Sequence, residues 1–240
     1  MNLVIDIGNS LKKIAVFHND EMVFHQSFPD ISEEILSSVL AQFPVKYSIF
    51  SSVCGVNTQV VDFLNVNTQI IHYSYQTNLP ITILYKSVQT LGLDRVANAV
   101  GAATRFPNRN VLSIQAGTCL VFDFVNEKGE YLGGSISPGI KLRFEALHEK
   151  TKNLPLLRVE DTPQWFLGAT SEESIYSGVV NGICYEIEGF IEDYKANFEK
   201  ITVLITGGDA LFFQKLIKNT IFAAPNLVLI GLNEIIKYNV

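Results

Sequence analysis

Cysteine, histidine, methionine and tryptophan are all scarce in this chain, and basic charge is nowhere concentrated. Its three cysteines, Cys54, Cys119 and Cys184, stand far apart in apolar surroundings. That is neither a disulfide framework nor a metal-ligand spacing, so they read as small buried hydrophobes in a reducing, cytoplasmic compartment. The four histidines, His18, His25, His72 and His148, show no ligand spacing and are assigned to surface or core. No Ser-His-Asp pattern is readable. With 18 basic against 24 acidic residues the formal net charge is −6, which argues against a nucleic-acid partner whose phosphates need cations to meet them. The apolar runs are too short and too broken to span a membrane. Met1-Asn2-Leu3 leads straight into a strand pattern, with no secretory signal expected. Neither GxxxxGK[ST] nor GxGxxG occurs.

What is present is a globular composition, 48% hydrophobic and 18% charged over 240 residues, enough for one large or two small domains with a real core. A phrase is used twice. Leu3 to Phe17 reads strand, Asp6-Ile7-Gly8-Asn9-Ser10, strand; Val111 to Val125 reads strand, Gln115-Ala116-Gly117-Thr118, strand. In each, an apolar run ends on a polar side chain, and a glycine and a hydroxyl residue follow in the turn. Such turns direct backbone N–H groups at an anion, with the hydroxyl as one more donor. Two of them facing each other would grip a polyphosphate. The copies differ in charge, a carboxylate at Asp6 against an amide at Gln115.

Around the first copy the periodicity predicts strands over 12–18 and 21–27, a helix over 32–43 capped by Ser32, a strand over 47–53, a helix over 57–64 and a strand over 70–74. An irregular stretch over 78–92 precedes a helix over 94–104. After the second copy come helices near 142–151, over 171–194 and over 210–218. A strand over 201–206 ends at Gly207-Gly208-Asp209. A last strand over 226–230 and a short helix over 233–238 complete the pattern. The expected architecture is α/β with mixed sheets, divided where the motif restarts, into residues 1–108 and 109–240.

Two readings compete at each polar position. Asp6 can place a hydrated Mg²⁺ on phosphates, or bond its own turn. Lys13 can reach a phosphate, or sit solvated at a strand edge. Gly207-Gly208 brings backbone close to a ring or phosphate, though a strand followed by two glycines is common. In Leu91-Gly92-Leu93-Asp94-Arg95, Asp94 can take a proton from an attacking hydroxyl and Arg95 can hold a carboxylate. Alternatively, Asp94 is only a helix N-cap.

Taken together these segments resemble the type III pantothenate kinases, within the acetate and sugar kinase, chaperone ATPase and actin superfamily. Asp6-Ile7-Gly8-Asn9-Ser10 is similar to the family's DxGNT, Ser51-Ser52-Val53 to its first-domain strand end and Gly92-Leu93-Asp94-Arg95 to GxDR. The segment from Gln115-Ala116-Gly117-Thr118 through Asp123 is similar to DxGTxxTxD. Gly133 through Gly139 matches GGxIxPG, Thr206-Gly207-Gly208-Asp209 matches TGGD, and Gly231-Leu232-Asn233 its ending.

The resemblance implies two ribonuclease-H-like domains with the nucleotide in the cleft between them. It implies ATP-dependent phosphorylation of pantothenate, the first step of coenzyme A synthesis, by a homodimer. Carried over by position, Asp6, Ile7, Gly8, Asn9, Ser10, Leu11, Lys12, Lys13 and Thr118 contact ATP. Tyr85, Gly92, Leu93, Asp94, Arg95 and Thr170 contact pantothenate, with Asp94 the proton acceptor. Mg²⁺ or another divalent ion accompanies ATP, held by Asp6 through water. Gln115 stands where the family carries an Asp that binds a monovalent cation, K⁺ or NH₄⁺, and Val121 replaces a frequent Thr. These departures leave an alternative, a weakened or inactive nucleotide-binding homologue. A kinase of another hydroxy acid is a further one.

Overall fold

The computed structural model describes residues 1–53, 55, 57–159 and 166–240. Cys54 therefore lies outside the described residues, while Cys119 and Cys184 are free thiols, the latter buried. The chain forms two compact units.

The first unit contains Met1–Pro107, Lys128–Leu132 and Asn226–Val240. Its strands β1 (Asn2–Ile7), β2 (Lys12–His18) and β3 (Glu21–Phe28) form an antiparallel meander. Helix α1 (Glu33–Gln42), β4 (Tyr47–Ser52), α2 (Thr58–Asn67) and β5 (Gln69–Ile71) follow. The sheet order is β3-β2-β1-β4-β5, with β4 and β5 running parallel to β1. The tight β2–β3 turn is made by Asn19 in the left-handed region at φ 56°, which Asn tolerates better than most residues. Ser32 caps α1 as its position predicts, Oγ accepting from the Ile35 N–H at 3.5 Å. Alternation sends Leu3, Ile5, Ile14 and Val16 to the face covered by Leu36, Val39, Val60 and Leu64 of the two helices. Val4, Ala15 and Ile49 point to the other face. The stretch over 78–92 is irregular apart from β6 (Thr82–Ile83) and one 3₁₀ turn at Val88–Thr90, and α3 (Leu93–Arg105) follows.

The second unit contains Asn108–Glu127 and Gly133–Pro225. It is built from β7 (Asn110–Ala116), β8 (Cys119–Val125), β9 (Glu130–Pro138), α4 (Ile140–Lys150), α5 (Ser171–Asn197), β10 (Ile201–Thr206), α6 (Ala210–Gln214) and β11 (Phe222–Ala223). The second sheet runs β11-β10-β7-β8-β9-β6; its last member and the first residues of β9 count with the first unit. Read from β9 to β11, the order repeats that of the first sheet, as the repeated phrase predicts. Leu112, Ile114, Phe122 and Phe124 pack under Val180, Ile183, Ile187 and Ile191 of α5.

The helix expected over 210–218 ends at Gln214 and the strand expected over 70–74 at Ile71, and the C-terminal segment departs further. The predicted strand over 226–230 is the start of a single helix, α7 (Leu227–Asn239). Leu227, Val228, Leu229, Leu232, Ile235 and Ile236 are all buried, and a helix buried nearly all round writes the same unbroken apolar run as a buried strand. Its partner is α3. A Cβ on Gly231 would stand 1.7 Å from the Ala97 carbonyl oxygen, and one on Gly101 2.3 Å from that of Leu227. Two glycines thus let the helix backbones touch, and α3 with α7 forms the layer over Val4, Ala15 and Ile49.

Candidate active site

In the first unit β1 delivers Asp6 next to its end. Register sets Asp6 opposite Lys13 on β2 and opposite Ser51 on β4. Side chains in register share a face, and two residues further into each strand that face carries Val4, Ala15 and Ile49, packed against Ala97 and Val100 of α3. Asp6, Lys13 and Ser51 are therefore the polar continuation of the layer that α3 covers.

Asp94 lies in the first turn of α3, and its charge is felt at Asp6. The Asp6 carboxyl is raised to about 6, first by burial and then by the nearby Asp94, with Lys13 opposing. Asp94 is also raised, by burial, against the backbone N–H groups of Arg95 and of Asp94 itself and the Arg95 guanidinium. Two half-buried carboxylates that repel each other make a place short of positive charge. The N-cap reading of Asp94 does not hold: the cap is Gly92, and Asp94 sits inside the helix, where its charge meets the favourable end of the helix dipole.

Neighbouring residues shape this corner. A Cβ on Gly92 would stand 2.5 Å from Asp94 Oδ1, so glycine clears the space the carboxylate occupies. Arg95 is only 7% exposed, and its guanidinium carbon stands 6.0 Å from the centroid of the Tyr85 ring, which in turn lies 6.1 Å from that of Tyr131. Tyr73 Oη donates to the Leu93 carbonyl at 3.0 Å. Burial and the Asp94 charge push the Tyr73 hydroxyl well above the usual phenol range, so it stays a donor and pins the entry to α3. Tyr73, Tyr131 and Ser51 join the group without any role assigned to them from the sequence. The first turn itself is tight: the Gly8 N–H donates to the Leu11 carbonyl at 3.2 Å. Ile7 is buried, Asn9, Ser10 and Leu11 are exposed, and Lys12, opposite Ile7, sits on the α1–α2 face rather than beside Asp6.

The second unit holds the other turn, and the distant glycine motifs meet on it. The Gly139 N–H donates to the Thr118 carbonyl at 3.0 Å, and the Asp209 N–H to that of Ala116 at 3.1 Å. A Cβ on Gly139 would stand 2.0 Å from the Gly117 oxygen; one on Gly207, at φ +99°, 2.1 Å from that of Ala116. Two of the glycine motifs thus have a packing reason here. Thr118 is exposed. Gln115 shares a face with Val121 on β8 and Thr206 on β10. Its Oε1 is buried with no hydrogen-bond partner among the described residues. Thr170 is exposed and caps α5, Oγ1 accepting from the Glu173 N–H at 3.2 Å while Glu173 Oε2 accepts from the Thr170 N–H at 3.2 Å. It also lines a mostly apolar cavity of about 1270 Å³ with Leu142, Arg143, Leu147 and Ile175. Of the expected substrate residues, Tyr85 and Gly92–Arg95 lie in the first unit and Thr170 in the second.

Among the described residues no cluster of three or more His, Cys, Asp or Glu could hold a metal by itself. The Asp6–Asp94 pair suits a divalent ion that brings most of its own ligands, as Mg²⁺ does with phosphates and water. Among the described residues, no helix is long and apolar enough to cross a membrane.

Known proteins similar to this chain point to one family. Residues 2–193 match the family described as type III pantothenate kinase. The type III pantothenate kinase of Cytophaga hutchinsonii is 45% identical over 242 residues, 100% of both chains. That of Flavobacterium johnsoniae is 40% identical over 100% of this chain and 99% of its own. Among solved structures, glucokinase from an Antarctic psychrotroph superposes with TM-score 0.52 over 100% of this chain and 99% of its own, at 13% identity, which speaks to the fold alone. With four-fifths of the chain matched by one family and relatives aligned end to end, the chain belongs to the type III pantothenate kinases.

Proposed function

We propose that this chain transfers the terminal phosphoryl group of ATP to the primary hydroxyl of pantothenate, giving 4′-phosphopantothenate and ADP, the first step of coenzyme A synthesis. The observation that carries this reading is the half-buried Asp94, its charge felt at Asp6, at the mouth of a helix that also presents Arg95. Phosphoryl transfer asks little covalent chemistry of a protein; it asks for alignment, charge neutralisation and an acceptor for the nucleophile's proton. Asp94 accepts that proton as the hydroxyl oxygen bonds to the γ-phosphorus and the bond to the ADP oxygen breaks. Arg95, braced by Tyr85, holds the pantothenate carboxylate, with Gly92 and Leu93 lining the approach. Asp6 and the donors of the turn through Lys13 meet the phosphates in the first unit, and the turn at Thr118 offers donors of the same kind in the second. Mg²⁺ or another divalent ion, held at Asp6 through water, supplies positive charge when bound. Thr170 is a further substrate contact, and the working form is a cytoplasmic homodimer. Purified protein should form ADP only when pantothenate is added. Equal ADP formation with other small hydroxy acids in place of pantothenate would redirect the substrate, and no ADP under any of several divalent and monovalent ions would sink the activity.

Gln115 gives the cation question a specific form. Its unpartnered Oε1 can ligate K⁺ or NH₄⁺ as an amide oxygen, but adds no charge. One unit charge at contact distance is worth roughly 1–4 kcal/mol between water-like and surface-like surroundings. Gln115→Asp is therefore expected to tighten the K⁺ concentration for half-maximal stimulation by about tenfold or more. Titrating turnover and thermal melting with KCl checks it, and identical K⁺ responses in the two proteins would refute it. Activity only in the Asp variant would instead favour the reading of a weakened homologue.

A further inference from the structure

Ser51 is a member of the first-unit group whose chemistry is unused. It is the penultimate residue of β4, in register with Asp6, and is 1% exposed. Its Oγ finds no hydrogen-bond partner among the described residues. A buried hydroxyl left without a partner destabilises a fold, and serine is a poor choice there if only packing matters. An alanine at this position would continue the apolar face of Ile49 without that penalty. The hydroxyl also stands in a specific electrostatic setting. Asp6 beside it and Asp94 on the covering helix are both held toward their neutral forms, with Lys13 the cation on the same face. A group entering here must bring positive charge and donors or acceptors of its own. α3, which carries Asp94, packs against β4 directly, so Ser51 faces the same corner as the two acids.

We propose that Ser51 Oγ is a binding group of the phosphoryl-transfer site, filled when the hydrated divalent ion arrives with ATP: the hydroxyl bonds a water of the ion that Asp6 attracts. This rests on the kinase reading above and adds to it a residue that positions the ion. A hydroxyl suits the position because it can accept from that water or donate to it, and because it adds no further negative charge between two acids.

The test uses the full chain and the Ser51→Ala variant, with ATP binding followed by calorimetry in Mg²⁺ and in excess chelator, and ligand-free melting measured alongside. The ligand-free variant is expected to melt at or above the wild-type temperature. Its ATP affinity should fall about 10–100-fold in Mg²⁺, from loss of one hydrogen bond to a water polarised by the ion, which is charge-assisted, and stay unchanged in chelator. Four results would overturn the proposal. These are a lowered ligand-free melting temperature, which marks a structural hydroxyl; equal weakening with and without Mg²⁺, which marks a direct phosphate contact; weakening in chelator only; and wild-type affinity in both. If the wild-type protein itself binds no ATP, the kinase reading fails first, and that outcome is visible without the variant.

Discussion

Asp94→Asn is expected to lower kcat by about 10²–10⁴-fold, the range in which a positioned proton acceptor contributes, while the protein stays folded. The substitution is nearly isosteric. The amide oxygen can still accept from the N–H groups of Arg95 and of residue 94 that now meet the carboxylate, and the space that Gly92 leaves open is preserved. What disappears is the ability to take a proton from the attacking hydroxyl. Because burial is the leading cause of the raised Asp94 carboxyl, the neutral amide should also relieve that penalty, so the variant should melt no lower than wild type. The same raised value sets the pH dependence. The acceptor must be ionised, so kcat should fall as pH falls, along a limb lying above the ordinary carboxylate range. Steady-state kinetics with melting curves separate the outcomes. Turnover within a few-fold of wild type would remove Asp94 from the acceptor role; a collapsed melting curve would recast it as structural.

How much of this corner is legible without coordinates differs from residue to residue, for physical reasons. Asp6, Gly8, Gly92 and Asp94 announce themselves because a turn or a helix entry demands a small residue next to a polar one, and that demand is local. The predicted helix over 94–104 matches α3 within a residue at each end, because its alanines repeat at helical spacing. Tyr73 and Tyr131 carry no such signal. Their partners, Leu93 and Tyr85, lie far away in sequence, and only the fold supplies the contact. Ser51 is marked in the sequence only as part of the Ser51-Ser52-Val53 strand end: a serine near the end of an apolar strand is ordinary until register places it beside a half-buried acid. The strand expected at 226–230 misleads because burial on every side erases the periodicity that separates helix from strand. What does mark α7 is Gly231, whose purpose becomes visible only when the Ala97 carbonyl is found where its side chain would be. Pairing of the two helices also explains why Asn226–Val240 packs with the first unit although it follows the second in chain order.

Asp6→Asn should move stability and activity in opposite directions. The Asp6 carboxyl titrates at about 6 in the fold against 3.8 for the free group, so the folded chain holds that proton more tightly than the unfolded one. The sign follows from linkage. Below pH 3.8 the acid is neutral in both states and costs nothing; between 3.8 and about 6 the unfolded chain ionises first and stability falls; above 6 the loss is complete. At pH 7 the ionised Asp6 therefore destabilises the ligand-free protein by about 3 kcal/mol, a net figure that already contains the attraction of Lys13. A neutral Asn is expected to recover much of it, raising Tm at pH 7 by about 6–12 °C on the scale for a chain of this size. The gain should shrink toward zero as pH approaches 4. In the presence of Mg²⁺ and ATP the order should reverse. The acid that burdens the empty site is what attracts the ion, so wild type gains a ligand-induced rise in Tm that the variant loses, and turnover drops with it. This contrast locates the reason for keeping an ionisable group under α3: the charge is unfavourable until the substrate's cation arrives. Melting curves at pH 4 and 7, with and without Mg²⁺ and ATP, decide the matter. A variant that melts lower than wild type at pH 7 without ligand, or that keeps the full ligand-induced shift, would show that Asp6 serves the fold and not the phosphates.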